Sequence, residues 1–502
     1  MRTLSKSKLL AFRQCPKRLW LEIHKPELRA DSAGTEASFR IGHAVGEVAR
    51  RLYDPKGKGA LIDPKVEGFP AALERSTSLL KSSQPIFEAG FSAKGALAFA
   101  DIMLPVTKKG RQEWRMVEVK SSTKVKDYHR SDVAIQAFIA KAAGVPLASI
   151  SVANIDNTFV YAGDGKYDGL LKESDLTAEA FGREGEVETW ITDAHTVADK
   201  AKEPKRPTGK HCTEPYECGF LGYCQSREPQ AEFPVDVLPR RGNALQSYLE
   251  EKSVTELTDV PDKLLNEAQL RVKKHTLSGR PFFNKAGAAA ALSAHKLPAL
   301  FLDFESIQFA VPIWKGTRPF QNIPFQFSVH RLSRTGTLDH RSFLDLSGDD
   351  PSKLLAEALI EACGTNEPVF AYNAPFEKGC ITGLATRFPR LQKPLLNISE
   401  RLADLLPVAQ RYYYHPSQEG SWSLKAVLPA AVPQLTHSAL EGVQDGGMAM
   451  EAFLEAIGQD TLPARKAQIE QQLTAYCRLD TFAMVKLWQF FAGRSDFDLL
   501  DA

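Results

Sequence analysis

Seven cysteines occur in the chain, and four of them are split as one plus three. Cys15 stands alone in FRQCPKRLWL, whereas Cys212, Cys218 and Cys224 lie together in HCTEPYECGFLGYC. If these four meet at one metal group, the start of a domain is tied to a segment far along the chain, and few folds allow that. Structural zinc sites favour close CxxC pairs, but the spacing here is C-x5-C-x5-C. Four thiolates from separated positions suit a 4Fe–4S cluster better, because its ligands need only converge in space. Zinc is the alternative, and metal-free thiols are the other. No signal-peptide pattern is present, so disulfides are not expected, and Cys363, Cys380 and Cys477 read as buried or site-adjacent thiols.

At 502 residues the chain is too long for one core. We divide it into a first domain at 1–228, a helical connector at 229–296 and a second domain at 297–502. In the connector, SVTELTDVPDKLLNEAQLRVKK shows polar caps followed by apolar residues at helical spacing, the pattern of a helical spacer. No apolar run is long enough to span a bilayer, so no membrane partner and a cytoplasmic location are expected. Net charge is only +2, so any affinity for nucleic acid has to come from local patches such as Lys17/Arg18, Lys124/Lys126/Arg130 and Arg271/Lys273/Lys274, each of which taken alone reads as a solvated surface.

In the first domain, WRMVEVKSS is apolar enough for a buried strand yet carries Glu118 and Lys120 two apart, on one face. Asp101 in ALAFADIML could lie on the adjacent strand. Two converging carboxylates would bind Mg²⁺ or Mn²⁺, and the lysine would stabilise developing phosphate charge. His43, in the helical FRIGHAVGEVARRL, could add an imidazole ligand that favours manganese. The alternative is an inert buried ion-pair network.

The order His43, Asp101, Glu118-x-Lys120 and Gln136 resembles RecB-like nucleases of the PD-(D/E)xK superfamily. With Cys15 and the trailing cysteines, it resembles their iron–sulfur branch, which includes the CRISPR-associated exonucleases. This resemblance implies a restriction-endonuclease-like mixed sheet with an Fe–S staple. It also implies metal held by His43, Asp101, Glu118 and the Val119 carbonyl, Lys120 as catalytic lysine, and Gln136 steadying the site or the DNA. Two departures are visible. Ala140 stands where Q-x3-Y would place a tyrosine, and the familiar C-x2-C-x5-C has become C-x5-C-x5-C.

In the second domain, ALFLDFESIQF is a strand bearing Asp303 and Glu305 on one face. EPVFAYNAPFEKGCI gives a strand followed by Asn373 and Glu377 at a helix start. QLTAYCRLDTFAMVKLW reads as a helix with Tyr476 and Asp480 four apart on one face. This order resembles the tyrosine branch of the DEDD exonucleases. The resemblance implies an RNase H-like α/β fold, two divalent ions held by Asp303, Glu305, Glu377 and Asp480, and Tyr476 orienting the attacking water. Glu377 stands where that superfamily has Asp, with Asp404 as the fallback carboxylate. In GSWSLKAVLP, Ser423 and Lys425 read as a helix start.

As a whole, the chain is similar to a bacterial family whose C-terminal part is a domain of unknown function. The expectation is an α/β, two-site, metal-dependent nuclease acting on DNA, chiefly single-stranded ends, in repair, recombination or defence. The alternatives are an RNA-directed second site, a nucleic-acid-binding scaffold with decayed sites, or a redox sensor built on the iron–sulfur cluster.

Overall fold

The computed structural model describes residues 2–494. The chain divides into two units. One runs to Pro229 and also includes Phe309–Phe320, and the other holds Gln230–Gln308 and resumes at Gln321. Each is mixed α/β, with its own sheet.

Seven strands build the sheet of the first unit: β1 (Leu4–Ser5), β2 (Ala60–Leu61), β3 (Ile86–Ala93), β4 (Ala96–Lys108), β5 (Arg111–Lys120), β6 (Leu147–Ile155) and β7 (Leu171–Asp175). The order is β2-β3-β4-β5-β6-β7, and β1 runs parallel to the start of β4. β3–β4 and β4–β5 are antiparallel hairpins. Each turns on a Lys-Gly pair, Lys94-Gly95 and Lys109-Gly110, in which all four residues have positive φ. Two-residue hairpin turns need that geometry to follow the strand twist. β5 and β6 are parallel, and the helix Asp127–Ala142 makes the crossover between them.

Alternation along β4 and β5 sorts their side chains. Met103 pairs with Met116 on one face and Ile102 with Val117 on the other. Over the methionine face lie the helices Lys6–Gln14, Pro16–His24, Asp127–Ala142 and Glu184–Ala198, whose Leu9, Leu19, Ile135 and Trp190 share one core. Burying each of the aliphatic side chains stabilises the unit by about 1.5–3 kcal/mol. On the opposite face, Ala49 of the helix Ala33–Tyr53 packs with Ile102 and Val117.

The second unit contains β8 (Phe282–Phe283), β9 (Ala299–Ile307), β10 (Ile323–Leu332), β11 (Leu338–Leu344), β12 (Val369–Ala371), β13 (Leu402–Asp404) and β14 (Tyr413–Tyr414). β8 and β14 form a small antiparallel pair. The others make a mixed sheet in the order β11-β10-β9-β12-β13. β10 is antiparallel to both its neighbours, and β12 is parallel to both of its own. β9 is therefore central and covered on both faces. Its Leu300, Leu302 and Phe304 enter one core, and its Ala299 and Phe301 enter another that is shared with Trp488 of the helix Pro463–Ala492.

Residues expected to form a separate connector belong to this second unit. Leu245, Leu249, Leu257, Val260, Val272 and Leu292 are buried in the same core as Phe301, Phe370 and Trp488. Helical periodicity had shown an apolar face in this stretch but not what covers it. Among the described residues, no helix is long and apolar enough to cross a membrane.

Candidate functional site

Two groups of buried acids stand out, one in each unit. In the first, the register Phe87↔Ile102 and Ile102↔Val117 sets Glu88, Asp101 and Glu118 in a row across β3, β4 and β5. Asp101 accepts a hydrogen bond from the Val119 N–H at 2.7 Å. Glu118 is 1% exposed and spends both oxygens on side chains. Its Oε1 accepts from Lys120 Nζ at 2.7 Å and from Lys6 Nζ at 2.9 Å, and its Oε2 accepts from Gln136 Nε2 at 2.7 Å.

The same three donors reach a second carboxylate, Asp132. Lys120 lies 2.6 Å from Oδ2, Gln136 donates to Oδ1 at 2.9 Å, and Lys6 lies 3.2 Å from Oδ1. Asp132 sits four residues before Gln136 on the helix Asp127–Ala142, so both point to the site. That spacing was visible in the sequence and could have revealed Asp132. Lys6 was not recoverable that way, because it comes from the first turn of a helix held by the short β1–β4 pairing.

Electrostatics follow from this geometry. Burial, with Glu118 alongside, pushes Asp101 up to about 8. Burial acts against charge on Lys120, yet Asp132, Glu118 and Asp101 hold its ammonium well above the usual range. Burial would likewise raise Asp132, but Lys120 and Lys6 hold that carboxyl below its usual range. Glu88 is raised by burial and by Glu118. Its φ of 57° is rare for a non-glycine residue, a local strain of the kind that gathers at functional positions.

A cavity of about 340 Å³ opens onto this row. Its lining includes His43, Asp101, Glu118, Val119 and Lys120, all named from sequence, together with Glu88, which was not; Gln136 does not line it. His43 is exposed on the helix Ala33–Tyr53. Gln136 is fully buried behind the pocket, and Ala140, at the departure from Q-x3-Y, lies wholly in the core.

Cys15, Cys212, Cys218 and Cys224 are each under a tenth exposed, and none is in a disulfide. Burial raises the Cys212, Cys218 and Cys224 thiols. The Arg18 charge beside Cys218 and the Lys17 charge beside Cys224 oppose that rise. The Lys17/Arg18 patch is thus turned inward: Lys17 pairs with Glu203 and Arg18 with Glu22. Gln14 ties the helix before Cys15 to the cysteine loop, donating to the His211 carbonyl at 2.8 Å and the Tyr216 carbonyl at 2.7 Å. Gly219 lies close against residues 29–31, where a Cβ would fall 2.6 Å from Asp31 Oδ1 and 2.9 Å from Arg29 Cγ.

In the second unit, Asp303 and Glu305 project from β9 toward the helix Pro463–Ala492. Donor atoms of Asp303, Glu305 and Cys477 lie within 4.8 Å of one another. Cys477 Sγ is 3.7 Å from Asp303 Oδ2, a neighbour the sequence reading had left without a role. Burial, then Asp480, Glu305 and Glu377, push Asp303 well above the usual carboxylate range. Burial, then Asp480, push Glu305 up to about 8.

Glu377 is 2% exposed, on the first turn of the helix Pro375–Arg387. Burial pushes its carboxyl up to about 8, and its Oε2 has no hydrogen-bond partner. Asp404, the fallback acid, is engaged by backbone: its Oδ1 accepts from the Asn373 and Leu406 N–H groups. Asp480 Oδ1 lies 2.6 Å from His437 Nε2, a buried partner that lies outside the sequence motifs. Tyr476 is 4% exposed, and burial together with Asp480 and Glu305 raises its phenol, which stays protonated. Lys425 Nζ sits 5.2 Å from the Tyr476 ring centre, and Ser423 caps the helix Leu424–Ala431 by accepting from the Ala426 N–H. Lys425 is also one of the charges that lower Glu305.

Residues 300–423 match a family described as a domain of unknown function (DUF2779). No curated protein matches the chain.

Proposed function

We propose that the chain is a metal-dependent nuclease with two active sites, one in each unit, that trims DNA from ends. The first unit would then be a restriction-endonuclease-like, RecB-type nuclease, and the second an RNase H-like exonuclease of the DEDD type. One observation supports this above the rest. In both units, acids from separate segments are buried side by side with too few cations, so their carboxyls are pushed up toward neutrality. Buried like charges that serve only stability would be replaced or paired, whereas a divalent ion resolves the conflict directly.

Carboxylate oxygens suit Mg²⁺ or Mn²⁺, and among the described residues only Asp303, Glu305 and Cys477 bring three candidate donor atoms within 4.8 Å of one another. Asp101 and Glu118, with His43 across the cavity, would hold the first ion. Asp303 and Glu305, with Asp480 whose charge acts on both, would hold the second site, and the unpartnered Glu377 Oε2 is a free acceptor for it. Bound there, the ions polarise the phosphate and lower the pKa of an attacking water. Lys120 remains charged and faces the developing phosphate charge. Gln136 fixes the Glu118 and Asp132 carboxylates at once. In the second unit, His437 orients Asp480, and the neutral Tyr476 hydroxyl can hold a water in line. Four buried thiols beside Lys17 and Arg18 suit a 4Fe–4S cluster that Cys15, Cys212, Cys218 and Cys224 would hold, with a structural role.

The test is cleavage of end-labelled single-stranded DNA and RNA with Mg²⁺ or Mn²⁺ by the intact protein, Glu118→Ala and Asp303→Ala. Each substitution is expected to remove a distinct cleavage pattern, and the labels report polarity and sugar preference. An intact, folded protein that cuts neither polymer with either ion would overturn the reading.

A further inference from the structure

The first site contains a cation that its motif does not account for. Lys6 Nζ lies 2.9 Å from Glu118 Oε1 and 3.2 Å from Asp132 Oδ1. Lys120 Nζ lies 2.7 Å from the same Glu118 oxygen. Two ammonium groups thus converge on Oε1, while Oε2 takes only the neutral Gln136 amide. Mutual repulsion makes one of the two lysines the weaker tenant of that oxygen. Lys120 is secured by its shorter bond to Asp132 and by leaving β5 only two residues from Glu118. Lys6 has the longer bond to Asp132 and enters from a different element on a flexible stem. A divalent ion that takes Glu118 Oε1 would have to displace an ammonium held there, and Lys6 is the less secured of the two.

We propose that Lys6 is a built-in counter-ion of the first site, holding Glu118 Oε1 until a divalent ion takes that oxygen. The proposal rests on the first unit binding a divalent ion as argued above. Lys6 then sets how much metal the site requires, because an ion that takes Oε1 must displace a resident charge. The residue is held where this can happen: Ser5 caps its helix, and the Leu4↔Ala96 and Ser5↔Leu97 pairing fixes the backbone just before it.

Mn²⁺ binding to the full-length chain at low salt, followed by electron paramagnetic resonance, separates this role from a structural one. Asp303→Ala serves as the parent, and the binding that Glu118→Ala removes from it belongs to the first site. Adding Lys6→Gln, which keeps a polar group but drops the charge, is expected to tighten that binding roughly tenfold. Lys6→Arg, which keeps the charge, is expected to leave it within about twofold of the parent. A lysine that only supports the fold would weaken binding when removed. Unchanged or weaker Mn²⁺ binding in Lys6→Gln, or equal tightening in Lys6→Arg, overturns the proposal. Failure of Lys6→Gln to fold while Lys6→Arg folds and binds as the parent also overturns it. A parent that binds no Mn²⁺ at a Glu118-dependent site removes the metal reading itself, and this proposal with it.

Discussion

Glu377 concentrates the conflict between stability and function into one side chain. Its carboxyl is buried, pushed up to about 8, and has an oxygen without a partner. Glu377→Gln removes the ionisable group at nearly the same volume. We expect the chelator-treated variant to melt above the wild type at pH 8, by about 1–3 kcal/mol of stability, while Asp303-dependent cleavage falls roughly tenfold or more. Calorimetry and the labelled-strand assay read the two effects. Site residues that share a local period were legible in the sequence: Glu118 and Lys120 on one strand face, Asp303 and Glu305 on another, Tyr476 and Asp480 on one helix face. Lys6, Glu88 and His437 were not, because each meets its site only through tertiary register. Asp132 lay between these cases, since its spacing to Gln136 was visible but carried no motif.

At the scale of elements, a nine-residue helix links two features of the first unit. Lys6 opens the helix Lys6–Gln14, Gln14 closes it, and Cys15 follows directly. Cys218→Ala is expected to lose iron-dependent absorbance and thermal stability together. A soluble, active and colourless variant would show that the cysteines do not staple the fold. In the second unit, Gly420 has φ of 76°, and a Cβ there would fall 1.7 Å from the Val237 carbonyl oxygen. Gly420→Ala is therefore expected to cost about 3 kcal/mol or more, measured by denaturant unfolding. Strand and helix identity followed from alternation and caps, but the partner of each apolar face did not, and so the segment read as a spacer is part of a core.

For the whole molecule, the raised carboxyls predict an inverted pH response. Asp101, Glu305 and Glu377 bind protons more tightly folded than unfolded, each holding on to about pH 8. Burial holds His129, His330 and His340 below their usual range, and their opposite effect offsets the carboxyls at acid pH, so it is between roughly pH 5.5 and 8 that the folded state carries more protons and stability falls as pH rises. The metal-free protein should melt at a higher temperature at pH 5.5 than at pH 8, and Mg²⁺ or Mn²⁺ should recover most of the loss at pH 8. A melting temperature that rises from pH 5.5 to 8 in chelator would contradict this. The placement of Phe309–Phe320 carries a different consequence. Ala310 of that stretch joins Val45, Val48, Ile155 and Leu170 in one apolar cluster, although the stretch is encoded between β9 and β10. No single cut in the gene can therefore release the first unit whole. A fragment ending at Pro229 would leave part of that cluster uncovered, so expression of the first unit by itself has to carry Phe309–Phe320 along with it.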